Sequence, residues 1–441
     1  MHIVIALCLA LCAGVAQATT IAAAAARDGV LEVEPGNRLL REAAALIERG
    51  AAADALPLID EAERVGGDRT EVLFLRGLAV SQLGDHARAI DLFKAILAQR
   101  PGLPRVRLEL ARAEFNARRD EAAERDFNLA LAADLPAPVV ENVYRFLDQL
   151  RTRRRFGVDL MVAIAPDTNI NRGPTTGEVV IYDRPFTLDD DAQARSGVGV
   201  LSNLHAFGDL PLAERVSARG TLGVFRADYP GQDFDDLVVM PTLGPRFAGR
   251  RTVLDLAGLM SRRWYGGRDY STSVGAQAQV EHRLTQRLAL AVGGSARQTN
   301  HDDYERLDGP RLAANLEARY ALSTRALLVG TVGVERELTE DRYERNTLGL
   351  FGVGASIELP RGFVLITGPV VSVRKFDHRT DAFGARRRDV IVAYDISVLN
   401  RRFNFGGVYP GISFGWERRL STIDLYEYDR LRMAFSLRRE L

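Results

Sequence analysis

One pentapeptide in the sequence has the spacing of a serine nucleophile. Gly411, Ser413 and Gly415 match the G-x-S-x-G pattern, in which a serine hydroxyl is exposed on a sharp turn between a strand and a helix. Here the pentapeptide lies within residues 404–418, which are predicted to form a strand, and no helix is predicted after it. The turn that would expose such a serine is therefore not expected, and we predict no catalytic residue.

Four side chains that carry oxygen have the spacing of a calcium-binding loop. Asp167, Asn169, Asn171 and Glu178 fall at positions one, three, five and twelve of that loop. The sixth position, where the loop requires glycine, is Arg172, and no helix flanks the segment. The histidines after the first 18 residues show no close ligand spacing, and both cysteines lie within those 18 residues. We therefore expect no metal, no cofactor and no enzymatic activity.

The elements that position these residues are strands. Polar and apolar residues alternate along residues 271–281, 311–322 and 389–398, so each segment has one apolar and one polar face. About fourteen such segments follow one another after residue 155 with no helix between them, which is typical of an outer-membrane barrel. The predicted strands cover residues 156–165, 196–206, 213–229, 234–247, 250–265, 269–283, 287–297, 310–322, 325–337, 346–358, 361–376, 387–399, 404–418 and 429–439.

The connections between these strands alternate in length. Long polar connections such as 166–195 and 298–309 mostly follow the odd-numbered strands, while tight connections such as 248–249 and 323–324 mostly follow the even-numbered ones. Short turns in the periplasm and long loops outside are the pattern of a transmembrane barrel, and a soluble β-sandwich gives no reason for it. We predict a barrel over 155–441 with both ends in the periplasm.

The amino-terminal residues indicate export. Residues 1–18 contain an apolar segment followed by Ala16, Gln17 and Ala18, which predicts a cleaved signal peptide, with lipidation of Cys12 as an alternative. No later apolar run is long enough for a transmembrane helix. The 58 basic and 58 acidic residues balance to a formal net charge of zero, so no attraction to nucleic acid is expected.

Residues 36–154 are predicted to form a helical repeat domain. Small residues recur every 34 positions, as in Ala45, Ala79 and Ala113, and this period is typical of tetratricopeptide repeats. Residues 139–150 predict a closing helix. Such an array binds extended peptides or a partner helix on its concave face, although a spacer without a ligand is the alternative. The basic segment 151–155 could contact lipid head groups or the barrel rim, or remain solvated.

The inward faces of the predicted strands carry both signs of charge, which argues mildly against a corridor for an acidic polymer. The candidate inward residues are Gln277, Gln279, Glu281, Arg297, Arg311, Asn315, Glu317, Arg319, Asp389 and Asp395.

The whole arrangement resembles the surface lipoprotein assembly modulator (Slam) family. Two stretches strengthen the resemblance: 165–172, just after the first strand, and 420–430, before the last strand. From the family motifs the candidate site residues are Pro166, Asp167, Asn169, Asn171, Ser421, Tyr426 and Tyr428.

The resemblance implies an α+β protein of two domains in the outer membrane. Its implied function is to move client proteins, often lipoproteins, to the cell surface, with the array receiving the client and the barrel providing the route. Expected partners are a client lipoprotein or secreted protein, outer-membrane lipid and, as a further candidate, a periplasmic chaperone. An exopolysaccharide export porin is the main alternative. A passive diffusion channel would leave the repeats unexplained, and a lipid-modifying enzyme would lack a credible nucleophile.

Overall fold

A computed structural model of the chain describes residues 35–403 and 408–440. The predicted signal peptide, residues 1–18, lies outside the described residues. The chain divides into two compact units, one ending at Leu75 and the other beginning at Arg76. None of the described helices is long and apolar enough to cross a membrane.

Seven α-helices precede the first barrel strand in the described part of the chain. Their starts repeat with the predicted period: Ala52, His86 and Asp120 begin α2, α4 and α6 at intervals of 34 residues. The helices are α1 (Pro35–Glu48), α2 (Ala52–Arg64), α3 (Arg69–Gln82), α4 (His86–Gln99), α5 (Pro104–Asn116), α6 (Asp120–Ala130) and α7 (Ala137–Arg153).

Small residues let these helices approach one another, as the repeat pattern predicts. A Cβ atom on Gly77 would lie 2.6 Å from the ring of Phe93, so only glycine fits opposite that ring. Asp85 caps α4 by accepting a hydrogen bond from the backbone N–H of Arg88, which satisfies one free donor of the first turn. The period therefore reflects both packing and capping.

Helices α5, α6 and α7 share one apolar core. Phe127 and Leu131 of α6 and the residue that follows it pack against Val143 and Leu147 of α7, and all four side chains are buried. The ring of Phe146 stacks on that of Phe127 with a centroid distance of 5.1 Å. The predicted closing helix is confirmed, and it is longer than the predicted 139–150 because it continues to Arg153.

The rest of the chain forms a closed antiparallel barrel of fourteen strands, which confirms the predicted fold class. Every barrel strand pairs with its sequence neighbours, and the first strand closes the barrel against the last. The barrel strands are β1 (Phe156–Asp167), β4 (Gly197–Ala213), β5 (Val216–Asp228), β6 (Asp236–Ala248), β7 (Thr252–Tyr265), β8 (Arg268–Arg283), β9 (Leu288–His301), β10 (Gly309–Ser323), β11 (Ala326–Glu337), β12 (Asn346–Glu358), β13 (Phe363–Thr380), β14 (Ala385–Asn400), β15 (Val408–Ser421) and β16 (Tyr428–Glu440).

The alternation of side chains gives the barrel an apolar outer surface. On β10, for example, Leu312, Leu316 and Tyr320 are exposed on the outside, while Arg311 and Glu317 of the alternate set form ion pairs on the inside. With no water in a bilayer core, closing the sheet satisfies every strand edge, and an apolar outer face suits lipid.

The two rims of the barrel differ. The short-turn rim holds tight connections such as 214–215 and 324–325, and α7 leads into β1 there. The long-loop rim holds the connection 168–196, which contains the hairpin of β2 (Glu178–Ile181) and β3 (Arg184–Thr187).

Two connections depart from the predicted alternation of lengths. On the long-loop rim, β7 and β8 are joined by two residues alone, Gly266 and Gly267, both at positive φ, which a tight hairpin turn requires. On the short-turn rim, the connection 401–407 is longer than its neighbours.

Candidate functional site

The two predicted family motifs meet where the barrel closes. We call the contact between β1 (Phe156–Asp167) and β16 (Tyr428–Glu440) the seam. Asp167, the last residue of β1, is 4% exposed and receives two hydrogen bonds from Nε of Arg430 on β16, at 3.0 and 2.9 Å. A buried carboxylate with a buried guanidinium partner joins the two ends of the barrel at the long-loop rim.

The loop after β1 is folded by two asparagine side chains. Asn169 is 1% exposed; its amide donates to the carbonyls of Gly173 at 2.9 Å and of Asp429 at 3.3 Å. Asn171 donates to the carbonyl of Gln193 at 2.6 Å. The first motif therefore holds its own loop and fastens that loop to the start of β16, because its donors reach backbone carbonyls on both.

A reciprocal contact adds to this attachment. The backbone N–H of Thr168 donates to the carbonyl of Leu431 at 3.0 Å, and the N–H of Leu431 donates to Oγ1 of Thr168 at 2.9 Å. Further out, the N–H of Thr175 donates to the carbonyl of Glu427 at 3.0 Å. The predicted site residue Pro166 precedes these contacts and has no partner on β16 in the described pairing.

The closing motif shapes the turn between β15 and β16. Oγ of Ser421 donates to Oδ1 of Asp389 at 2.8 Å and accepts from the N–H of Ile423 at 3.2 Å. The hydroxyl of Tyr428, a buried residue, bonds the carboxylate of Glu417. These bonds hold the chain as it reverses into the last strand.

An aromatic ring in the same turn supports an arginine. The guanidinium of Arg387 lies 3.2 Å from the ring centroid of Tyr426 and also bonds Asp389 at 2.8 Å. A guanidinium over a ring is attracted by the negative face of that ring. Tyr426 thus orders the charged residues of β14 beneath the turn.

Sequence reasoning did not identify Arg430 as the partner of Asp167. The residue lies in the quoted closing stretch, but no turn connects the first and last strands, so their register cannot be counted from the sequence. Asp159 and Arg438, which form a second ion pair across the seam with a closest distance of 2.7 Å, were missed for the same reason.

Two other sequence patterns have structural uses. Ser413 lies in the middle of β15 and pairs with Ser397 on one side and Ala434 on the other, so the G-x-S-x-G stretch is a strand as predicted. Among the residues described, no three His, Cys, Asp or Glu side chains are grouped as a metal site would need. Asp167 of the calcium-like spacing is engaged by Arg430 instead.

The predicted inward residues face one another in ion pairs of mixed sign. Arg319 bonds Glu281 at 3.0 Å and Glu317 at 2.7 Å, and Arg311 bonds Glu337 at 3.0 Å. The lumen wall is therefore internally neutralised along these strands rather than charged with one sign.

A buried ion network joins α5 and α6 to the short-turn rim. Arg107 is 1% exposed and pairs with both Asp126 of α6 and Glu358 at the end of β12, the latter at 2.6 Å. Glu358 also pairs with Arg401 at 2.5 Å. Burial alone would raise the pKa of Asp126, but Arg107 outweighs it and lowers that pKa below its ordinary value.

A second carboxyl in this region is poised differently. Glu114 of α5 is fully buried, with the ammonium of Lys94 3.2 Å from its Oε1. Burial, followed by repulsion from Asp126, raises the pKa of Glu114 to about 7, against the attraction of Lys94 and Arg125. This carboxyl therefore changes its charge near neutral pH.

The basic segment after α7 also contacts the rim. Arg151 donates to the carbonyls of Gly249 at 3.3 Å and Arg250 at 3.1 Å, so the predicted alternative of a rim contact holds for this residue. Arg153 pairs with Asp120 of α6 instead.

These features define an outer-membrane β-barrel protein with an attached domain of helical repeats. The family model described as surface lipoprotein assembly modifier matches residues 157–440, and the tetratricopeptide repeat model matches residues 81–141. The chain belongs to the surface lipoprotein assembly modifier family.

Curated relatives agree with this assignment. Surface lipoprotein assembly modifier 1 of Neisseria meningitidis is 25% identical over 83% of this chain and 75% of its own length. The protein of the same name from Haemophilus influenzae is 22% identical over 79% of this chain and 73% of its own. Hemophilin secretion modulator of Acinetobacter baumannii is 23% identical over 85% of this chain and 79% of its own.

Proposed function

We propose that this protein assists the delivery of client proteins, surface lipoproteins above all, across the outer membrane to the cell surface. The observation that carries the proposal is the match of the family model to residues 157–440, which span the barrel strands from β1 to β16. The name of the Acinetobacter relative extends the range of clients to secreted proteins. An exopolysaccharide export porin is not favoured, because the relatives are named for lipoprotein assembly and secretion.

The helical domain would lie in the periplasm. Short turns face the periplasm in barrels of this class, and α7 enters β1 at the short-turn rim. A predicted signal peptide at residues 1–18 supports the same orientation. The long-loop rim, with both family motifs, would then face the outside of the cell.

Two partners follow from this placement. Outer-membrane lipid would contact the apolar outer face of the barrel, where residues such as Leu316 and Val332 are exposed. A periplasmic chaperone would hand an unfolded client to the helical domain, because such a client exposes apolar surface before it crosses. No catalytic residue or cofactor is part of the proposal.

One surface at the short-turn rim suits client contact. A cavity of about 570 Å³ lies between α7 and the turn 284–287. Val140 and Tyr144 line it on the helical side, while Arg251, Arg283 and Arg287 line it on the barrel side. Apolar and cationic groups together can hold an extended segment that carries acidic side chains.

The experiment that tests the proposal is surface display of a candidate client encoded beside this protein, measured with and without it. We expect display to fall in its absence while the periplasmic level of the client is retained. Removing residues 35–153, with residues 1–34 kept, should leave a folded barrel, because its strands pair only with one another in the described residues. Normal display by that variant would make the helices a spacer.

A further inference from the structure

The seam is the least continuous strand pairing in the described barrel. All residues of β1, 156–167, have partners on β4, but only 159–164 and 167 have partners on β16. The gap falls at Ala165 and Pro166, where proline lacks the N–H that a ladder needs. The seam is also the one barrel pairing whose strands no turn can connect, since they lie first and last in the barrel.

Charged side chains compensate at both ends of the shortened ladder. Asp167 bonds Arg430 at the long-loop rim, and Asp159 bonds Arg438 toward the other rim. Ion pairs exchange partners with water more readily than apolar packing separates, especially where they are part exposed, as Arg438 is. The seam is therefore closed by contacts that can be undone and remade.

Side chains between these two ion pairs interlock little. Ala163 of β1 and Ala434 of β16, whose side chains are small, face inward there. On the outer face, Ile164, Phe435 and Leu437 are at least half exposed and point to the position of lipid. An opened seam would thus connect the lumen directly with the membrane interior.

We propose that the seam is a client-binding edge: β1 and β16 part, and an extended segment of the client pairs with the exposed edge of β1 as it crosses. This inference rests on the proposed function and adds the route to it. A freed strand edge presents unpaired N–H and C=O groups that recruit another strand. Fourteen strands enclose a space too narrow for a folded domain, since wide aqueous channels need about sixteen.

The chemistry of a lipoprotein favours a side opening. Drawing acyl chains through the charged lumen would cost about 0.8 kcal/mol for each CH₂ group taken out of lipid. Through the seam, the acyl chains can stay among the exposed apolar residues of the outer face while the polypeptide crosses. The mixed ion pairs of the lumen offer no comparable path.

The test is a disulfide that locks the seam. Ala163 and Ser436 are direct partners across it, so Ala163→Cys with Ser436→Cys places two thiols face to face. Ala313 and Ser295 form the same residue pair between β10 and β9, and Ala313→Cys with Ser295→Cys is the matched control. The natural cysteines, Cys8 and Cys12, lie in the predicted signal peptide.

We expect oxidation of the seam pair to abolish display of the client and a reductant to restore it, while the control pair leaves display unchanged. Full display with the seam locked would overturn the inference in favour of the lumen. Equal loss in both variants would also overturn it, because the effect would not be specific to the seam. Failure of the proposed function looks different, since display would then not depend on the unmodified protein at all.

Discussion

At the scale of single residues, the buried pair Asp167 and Arg430 determines how firmly the barrel closes. Removing one member of such a pair leaves the other charge in a poorly hydrated site without its partner. We expect Arg430→Ala to lower the free energy of unfolding by about 3–5 kcal/mol. Urea unfolding of the protein in detergent, followed by fluorescence of Trp416, measures this, because the indole N–H bonds Asp429 beside the seam.

Two controls separate this effect from general damage to the strands. Asp395, whose side chain is 58% exposed and 3.9 Å from Arg432, tests an ordinary lumen pair. Asp395→Ala should cost no more than about 1 kcal/mol. Replacing both members of the seam pair by apolar residues, Asp167→Leu with Arg430→Met, should recover most of the lost stability. Equal losses in Arg430→Ala and Asp395→Ala would contradict the special role of the seam pair.

Glu114 predicts how the stability of the helices depends on pH. Its pKa is raised in the folded chain, so the folded state binds more protons than the unfolded state between about pH 4.5 and about pH 7. The free energy of unfolding should therefore fall as pH rises through this window, by up to about 3 kcal/mol. Thermal unfolding of the helical circular dichroism signal across it measures the slope.

Two variants give this prediction opposite signs. Glu114→Gln removes the titrating group and should flatten the dependence on pH. Lys94→Met removes the attraction that opposes burial, and it should move the loss of stability to higher pH. An unchanged slope in Glu114→Gln would assign the pH dependence to other groups.

At the scale of elements, the strands were predictable and their ends were not. The predicted strand 287–297 is β9, which continues to His301. Its outward residues past Ala296 are Gln298 and Asn300, which bond each other at 3.1 Å. Because the outer face there is in water rather than lipid, apolar alternation stops while the ladder goes on. The motif residues were predictable too, but their partners depend on a register that no connecting turn sets.

The two rims lead to a labelling prediction. Asp303 lies in the connection 302–308 on the long-loop rim, and Thr285 lies in the turn 284–287 on the short-turn rim. An epitope inserted at Asp303 should be reached by antibody on intact cells, whereas one at Thr285 should require a permeabilised outer membrane. The opposite result would place the helical domain outside the cell. Heat-modifiable migration of both variants confirms that each barrel is folded.

At the scale of the whole molecule, direction needs a source of free energy. The sequence has no glycine-rich phosphate-binding loop, and ATP is not available outside the cytoplasm. Since the barrel is too narrow for a folded domain, the client crosses unfolded, by the lumen or by the seam. Folding of a client domain at the surface yields roughly 5–15 kcal/mol, enough to bias an otherwise reversible passage.

We therefore expect display to follow the stability of the client. A graded series of core substitutions, each removing about 1–4 kcal/mol from the folded client domain, should lower surface exposure in the same order. The periplasmic level of each variant, measured in parallel, controls for degradation before export. A client variant of wild-type stability with a substitution of similar size on its surface is the matched control. Display that stays constant across the series would mean that folding is not the driving force, and that a partner supplying energy acts on this barrel.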